Sequence, residues 1–250
     1  MNAILVRLVA WVTAILLSAA GPAGAADLAE YRILGYSPDG EHFAFEQFGI
    51  ADGAGLPYSD IFIIDLKADR WVSGTPIRVS RSEQEVGGRS DFMQMLHTVR
   101  VEALVQARPL LNQYDITAAH RLIAASGPTE VGSQQERMAF YKEPVASPFG
   151  DLWVLSLERF PLPARVDCFG MVEPHGFRLS LQSESQAART VYRDTGIPSS
   201  RGCPERYGIA AIIRPFDPSP GRAVALISVY QLGFEGLDRR FVAVPFDLPL

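Results

Sequence analysis

Cysteine is scarce in this 250-residue chain, with only Cys168 and Cys203 present. Their spacing forms no CxxC pair, which removes support for a thioredoxin-like redox role. A basic excess is missing too. The chain has 23 Lys and Arg against 28 Asp and Glu, a formal net charge of -5, which argues against a nucleic-acid partner. No GxSxG, HExxH or GxxxxGK[ST] segment occurs, so the serine-hydrolase elbow, the zinc-protease helix and the phosphate loop are absent. Gly53-Ala54-Gly55 contains a GxG without the third glycine of a dinucleotide fingerprint, and it reads as a flexible loop. The four histidines, His42, His97, His120 and His175, show no local metal-ligand spacing, and no metal or other cofactor is expected. Beyond Leu17 no run approaches 18 apolar residues, so no transmembrane anchor is expected once the N-terminus is removed.

What is present begins with an address. Residues 1–26 read as a secretory signal peptide: Arg7, an apolar run from Leu8 to Leu17, then small residues from Ser18 to Ala26. Ala23-Gly24-Ala25 fits the small-x-small cleavage pattern, and Gly24-Ala25-Ala26 fits one register later. A transmembrane anchor is the competing reading, and Pro22 cuts the apolar run short of the roughly 20 residues it needs. The remainder, 27–250, is expected to be a single secreted domain. With 48% hydrophobic and 20% charged residues the composition is that of a folded protein, not of a disordered chain, a collagen or a coiled coil. Export to an oxidising compartment favours a Cys168–Cys203 disulfide over two separate buried thiols.

Glycine (21) and proline (18) are plentiful, and the chain turns often. Ser37-Pro38-Asp39-Gly40 predicts a turn in which Gly40 takes a positive φ. Asp60 to Leu66 has the continuous apolar middle of a strand buried on both faces. Short strands are predicted over 43–45, 137–142, 151–157, 168–173, 177–182, 189–193, 206–213, 223–230 and 240–244, with a hairpin split at Pro174-His175-Gly176. The fold class is therefore mainly β, with antiparallel strands in a propeller-like or sandwich arrangement. A helical insert at about 90–125 interrupts them. Ser90 caps its first helix, the stripe of Phe92, Met93, Leu96, Val99, Leu104 and Val105 packs on the sheet, and Pro109 ends or kinks it. A second short helix is predicted over 117–125.

Candidate binding residues lie in a Gly-rich loop read from Gly49 to Ser59 with its flank: Asp52, Tyr58 and Asp60. Arg189, Arg193, Arg201 and Arg206 form a basic group around Cys203, with Arg239 and Arg240 near the end. They could grip an anion, or pair with the protein's own carboxylates. Glu173 and His175 form a local acid–base pair for which a turn histidine is the simpler account. No residue is assigned as catalytic.

Gly35-Tyr36-Ser37-Pro38-Asp39-Gly40, Phe43-Ala44-Phe45-Glu46 and Tyr58-Ser59-Asp60-Ile61-Phe62-Ile63-Ile64-Asp65 resemble a bacterial family of predicted secreted proteins, DUF2259. Ser200-Arg201-Gly202-Cys203-Pro204 and the segment from Phe234 to Phe241 resemble it as well. The resemblance implies export and a shared fold and carries no activity. The Ser-Pro-Asp-Gly turn is also similar to the blade turn of TolB-type propellers, although one clear copy falls short of a closed propeller. The expected protein is a soluble periplasmic one. A non-enzymatic envelope interaction module is the first reading, with an envelope protein as its partner. A small-ligand binder or a hydrolase is the alternative.

Overall fold

The computed structural model describes residues 26–51, 55–87, 91–117, 119–127, 135–142, 150–217, 221–233 and 236–249. Residues 1–25, which hold most of the expected signal peptide, and Ser90 and Asp52 lie outside them. Three antiparallel sheets account for the strands. Sheet I contains β1 (Glu30–Tyr36), β2 (His42–Ala51), β3 (Leu56–Asp65), β4 (Arg70–Trp71) and β5 (Ile77–Ser80). Sheet II contains β6 (His120–Ala125), β11 (Pro204–Pro215), β12 (Arg222–Leu232) and β13 (Leu237–Asp247). Sheet III contains β7 (Arg137–Tyr141), β8 (Leu152–Pro161), β9 (His175–Ser183) and β10 (Arg189–Arg193). The fold is mainly β, as expected, and the sheets remain open, so the described residues form neither a closed barrel nor a propeller.

Sheet II is the middle layer. On β12, Ala223, Ala225, Ile227 and Val229 enter a core with Trp153, Leu155, Phe177 and Leu179 of sheet III. The alternate residues Val224 and Leu226 enter a second core with Phe43, Phe45, Phe62 and Ile64 of sheet I. On β11 the parity changes midway. Tyr207 and Ile209 face sheet III, yet so does Ile212, because the register shifts between Ile209 and Ala211. A bulge adds one residue and turns every later side chain over.

The other face of sheet I is covered by a helix. β3 alternates: Tyr58, Phe62 and Ile64 face sheet II, and Ile61 and Ile63 face the helical side. Ile61 to Ile64 are all buried, which is why that stretch reads as uninterrupted apolar sequence. A short α1 (Glu83–Val86) precedes α2 (Phe92–Gln113). Asp91 caps α2, its carboxylate accepting from the Gln94 amide at 3.0 Å. Leu96, Val99, Ala103 and Ala107 form the buried stripe against Phe48, Ile61 and Val79. The two alanines let the helix approach closely, while Met93 and Val105, expected in the stripe, are exposed. Pro109 does not end the helix, which runs on to Gln113. The hydrogen bond it cannot donate would go to Val105, on the solvent side, where water can satisfy the carbonyl.

Other expectations are corrected. Residues 120–125 are not a second helix but β6, paired antiparallel with β11 from Ala211↔Ala125 to Pro215↔His120. The unpaired backbone of the β11 edge outweighs the helical propensity of the segment. Residues 168–173 are not a strand. Phe169 and Gly170 take positive φ, 53° and 66°, and two successive left-handed residues cannot continue an extended chain. His175 and Gly176 consequently do not split a hairpin but open β9 against Phe160 and Pro161. The Ser37–Gly40 turn forms as read, with Gly40 at φ 68° and the His42 amide donating to Ser37 Oγ at 2.9 Å.

One polar clasp fixes α2 to the sheet. Glu46 is fully buried on β2, and Arg100 of α2 meets it bidentately at 2.8 and 2.9 Å. Ser59 Oγ donates to the same carboxylate at 3.0 Å, and the guanidinium lies 3.5 Å over the Phe48 ring. Arg100→Ala, which strands the buried carboxylate, is expected to cost about 3–5 kcal/mol in urea denaturation. A double change that removes Glu46 as well, Glu46→Leu with Arg100→Met, is expected to lose less. Cys168 and Cys203 are joined by the expected disulfide, with Cα atoms 5.8 Å apart. It ties the connection between β8 and β9 to the start of β11. Reduction should lower stability by about 2–4 kcal/mol in the same assay.

Candidate functional site

A cleft of about 610 Å³ opens where all three sheets meet. Sheet I contributes the face that carries Phe45, Gln47, Asp60 and Phe62, sheet II contributes β13 from Arg240 to Val244, and sheet III contributes Tyr192 to Asp194. Phe45 and Phe62 stack at 4.9 Å, and Phe62 meets Trp71 at 5.5 Å. Trp71 is 42% exposed, a large apolar surface left open beside charged groups.

Gln47 bridges two sheets at the base of the cleft. Its Nε2 donates to Asp60 Oδ2 at 3.1 Å, and its Oε1 accepts the Phe241 amide of β13 at 3.0 Å. Asp60 also faces Arg78 Nε at 4.0 Å, a loose pair whose arginine is largely exposed. Burial pushes the Asp60 carboxyl above the usual carboxylate range, against the lowering effects of Gln47, Arg78 and Arg240.

Two clasps form the walls. Asp194, 4% exposed, accepts from the Phe177 amide at 2.9 Å, Tyr192 Oη at 2.6 Å and Arg201 Nη1 at 2.7 Å. Arg201 also lies over the Phe177 ring at 5.3 Å. Across the cleft Arg240 pairs with Asp27 at 2.5 Å and lies 5.0 Å over the Tyr58 ring. Asp27 Oδ1 accepts from Tyr58 Oη at 2.9 Å, and the Asp27 amide donates to Asp238 at 3.1 Å.

The residues singled out in the sequence therefore separate. Asp60 lines the cleft. Tyr58 does not, because its hydroxyl is used up in holding Asp27. The segment read as a loop from Gly49 to Ser59 is largely hairpin ladder, pairing Gly49↔Tyr58 through Ala51↔Leu56. Gly49 permits this pairing, since a Cβ there would stand 2.8 Å from the Tyr58 hydroxyl. Of the basic group, Arg201 and Arg240 reach the cleft, whereas Arg193 borders it with its guanidinium turned over the Phe160 ring. Arg206 pairs with Glu205 at 3.0 Å, and Arg189 donates to the carbonyl of Asp247. His175 stands 4.0 Å from Glu173 and apart from the cleft lining. Gln47, Asp69, Arg70, Trp71, Arg78 and Asp194 were not picked out. The available signal for Gln47 was polar sequence, Glu46-Gln47, inside an apolar strand.

Among the described residues no cluster of three or more His, Cys, Asp or Glu side chains could hold a metal ion. No helix among them is long and apolar enough to cross a membrane.

These features define a disulfide-bonded protein of stacked antiparallel sheets with a charged cleft at their meeting point. The chain belongs to the family of predicted secreted proteins DUF2259, with the match spanning residues 44–246. No curated protein and no solved structure matches it.

Because burial raises the Asp60 pKa, the folded state holds that proton more tightly than the unfolded chain does. The stability this contributes is present at acid pH and is lost as pH rises through the raised pKa. Asp60→Asn is therefore expected to raise Tm at pH 8, and the gain should vanish as pH falls below about 4, the unfolded carboxyl pKa. Thermal melts across that range check it, and a variant less stable at pH 8 would contradict the assignment.

Proposed function

We propose that this protein is exported to the bacterial periplasm, folds from about residue 27 as one domain, and acts there by binding a small ligand in the three-sheet cleft without chemically changing it. The observation that carries the reading is the cleft. Its volume lies in the range of small-molecule sites, and it combines an open aromatic surface with polar groups held on rigid strands. Asp60 is the ligand-facing acceptor in this reading, since Gln47 occupies only one of its oxygens at hydrogen-bond distance. Tyr58 has an indirect part in this reading, positioning Arg240 through Asp27.

Non-enzymatic binding is favoured over hydrolysis because Asp194 is held by three donors and is not free to act as acid or nucleophile. A small ligand is favoured over a flat protein partner because the polar groups lie in a concavity.

The test is a thermal-shift screen of the exported protein against neutral sugars, short peptides, carboxylates and phosphates. A true ligand at a hundredfold excess over its Kd is expected to add about 2.7 kcal/mol to apparent stability. Trp71→Ala should weaken it at least about tenfold, the loss of roughly 1.4 kcal/mol of contact. A shift that survives Trp71→Ala and Asp60→Asn unchanged would place the ligand elsewhere, and no shift across the panel would remove the small-ligand reading. Turnover of a bound compound would make the protein an enzyme.

A further inference from the structure

We infer that the ligand of the cleft is a short extended peptide, bound by adding a strand to the free edge of β13. This rests on the ligand-binding reading above and adds the class of ligand. β13 is the last strand of sheet II, paired with β12 on one side only. Its outward backbone groups belong to the odd-numbered residues. Arg239 donates to the carbonyl of Asp27 at 2.9 Å and accepts from the Ala29 amide at 3.2 Å. The Phe241 amide donates to Gln47 Oε1 at 3.0 Å. Register with β12 is continuous from Leu237 to Asp247, so the alternation of an antiparallel ladder carries the same parity on to Ala243 and Pro245. Pro245, which has no N–H to give, stands where β12 needs none.

This edge is closed at both ends and open in the middle. At one end the chain from Asp27 to Ala29 runs parallel to it, bridging Leu28 to Arg239, before it leaves to form β1 against β2. At the other end Pro245 offers no donor, and Arg189 donates to the Asp247 carbonyl. Between them the Phe241 carbonyl and the amide and carbonyl of Ala243 have no hydrogen-bond partner among the described residues. That open stretch is the part of β13 that lines the cleft, from Arg240 to Val244. Exposed strand edges are commonly guarded by a charge, a proline or a cover. Phe241-Val242-Ala243-Val244 has no charge and no proline.

The slot also has the walls a strand needs. Along β13, Phe241 and Ala243 face sheet I, and Val242 and Val244 face sheet III. A strand laid beside them alternates in the same way. Its side chains on one side meet Phe62 and the open face of Trp71, with Asp60 at hand for a side-chain donor. Those on the other side meet β10 at Tyr192. The stretch of β13 in the cleft is about 16 Å long at about 3.3 Å per residue, room for roughly five residues of peptide. Backbone bonds of this kind supply affinity for any extended chain, and the aromatic wall supplies the preference among side chains.

Blocked pentapeptides, acetyl-Ala-Ala-Xaa-Ala-Ala-amide with Phe, Leu or Lys at the centre, are titrated into the exported protein by calorimetry. Amide hydrogen exchange by NMR is followed in parallel. Without peptide, the Ala243 amide is expected to exchange faster than those of Val242 and Val244, which bond to β12. Saturating peptide should slow Ala243 at least about tenfold and leave its two neighbours unchanged. The best binder is then N-methylated on alternate amides in the two complementary patterns. One pattern should lose at least about tenfold in affinity, the effect of an unmade backbone bond, and the other should stay within about twofold. Ala243→Pro removes the outward donor, keeps the ladder to β12, and should cost binding at least about tenfold with the melting temperature little changed. If that variant does not fold, the methylated pair decides. Peptide binding without protection of Ala243, equal loss from both methylation patterns, or no peptide binding overturns the inference. A non-peptide compound whose thermal shift depends on Trp71, with no peptide bound, would defeat this inference and leave the ligand-binding reading intact.

Discussion

A sheet whose two faces are both apolar has to be covered twice, and the rest of this structure follows from that requirement on sheet II. Val224 and Leu226 point one way, and Ala225 and Ile227 the other, so neither face of β12 can meet water without exposing a core's worth of apolar surface. Sheets I and III are the covers. Each is itself an antiparallel meander with a second face to settle, and sheet I settles its own with α2. Where the two covers come together beside β13, polar side chains replace the apolar ones and the cleft opens.

The polar groups that hold these layers in place are buried ones. Glu46 with Arg100 fastens the helix, Asp194 with Arg201 fastens the segment leading into β11, and Asp27 with Arg240 and Tyr58 fastens the chain just ahead of β1 to β13. A buried carboxylate is costly unless paired and hydrogen-bonded. Each of these three carries at least two donors, so they restrict geometry more than they add net stability. Two of the three stand at the cleft, and the orientation of Arg201 and Arg240 there is set by bonds that have nothing to do with a ligand. Asp60 is the exception. It is buried with one amide donor and one distant arginine, an arrangement that costs stability and is typical of a group kept for use.

Much of the strand content was legible before folding. The stretch from Ile61 to Ile64 reads as a doubly buried strand and is one, and the Ser37-Pro38-Asp39-Gly40 turn states its own backbone geometry. Helix α2 was readable from its spacing. The buried side of that helix was only partly readable, because Ala103 and Ala107 carry weak hydrophobic signal and owe their place to close packing. The strand β6 was not readable at all. His120 to Ala125 is locally compatible with a helix, and only the open edge of β11, some 85 residues later, makes it extended.

The candidate site shows the same division. Local sequence determined most of the strands, the main turn and the presence of arginines around Cys203, and it favoured the Cys168–Cys203 pairing. It did so because propensity, periodicity and turn chemistry act over a few residues. Which arginines border the cleft was decided only in three dimensions. Arg206 spends its charge on its neighbour Glu205, whereas Arg240 reaches back more than two hundred residues to Asp27. Even the parity of β11 changes at a bulge between Ile209 and Ala211, so alternation alone could not say which of its side chains look toward which sheet. The reason is physical: a cleft is made by separate elements meeting, and the residues that line it share no local pattern for a sequence to display.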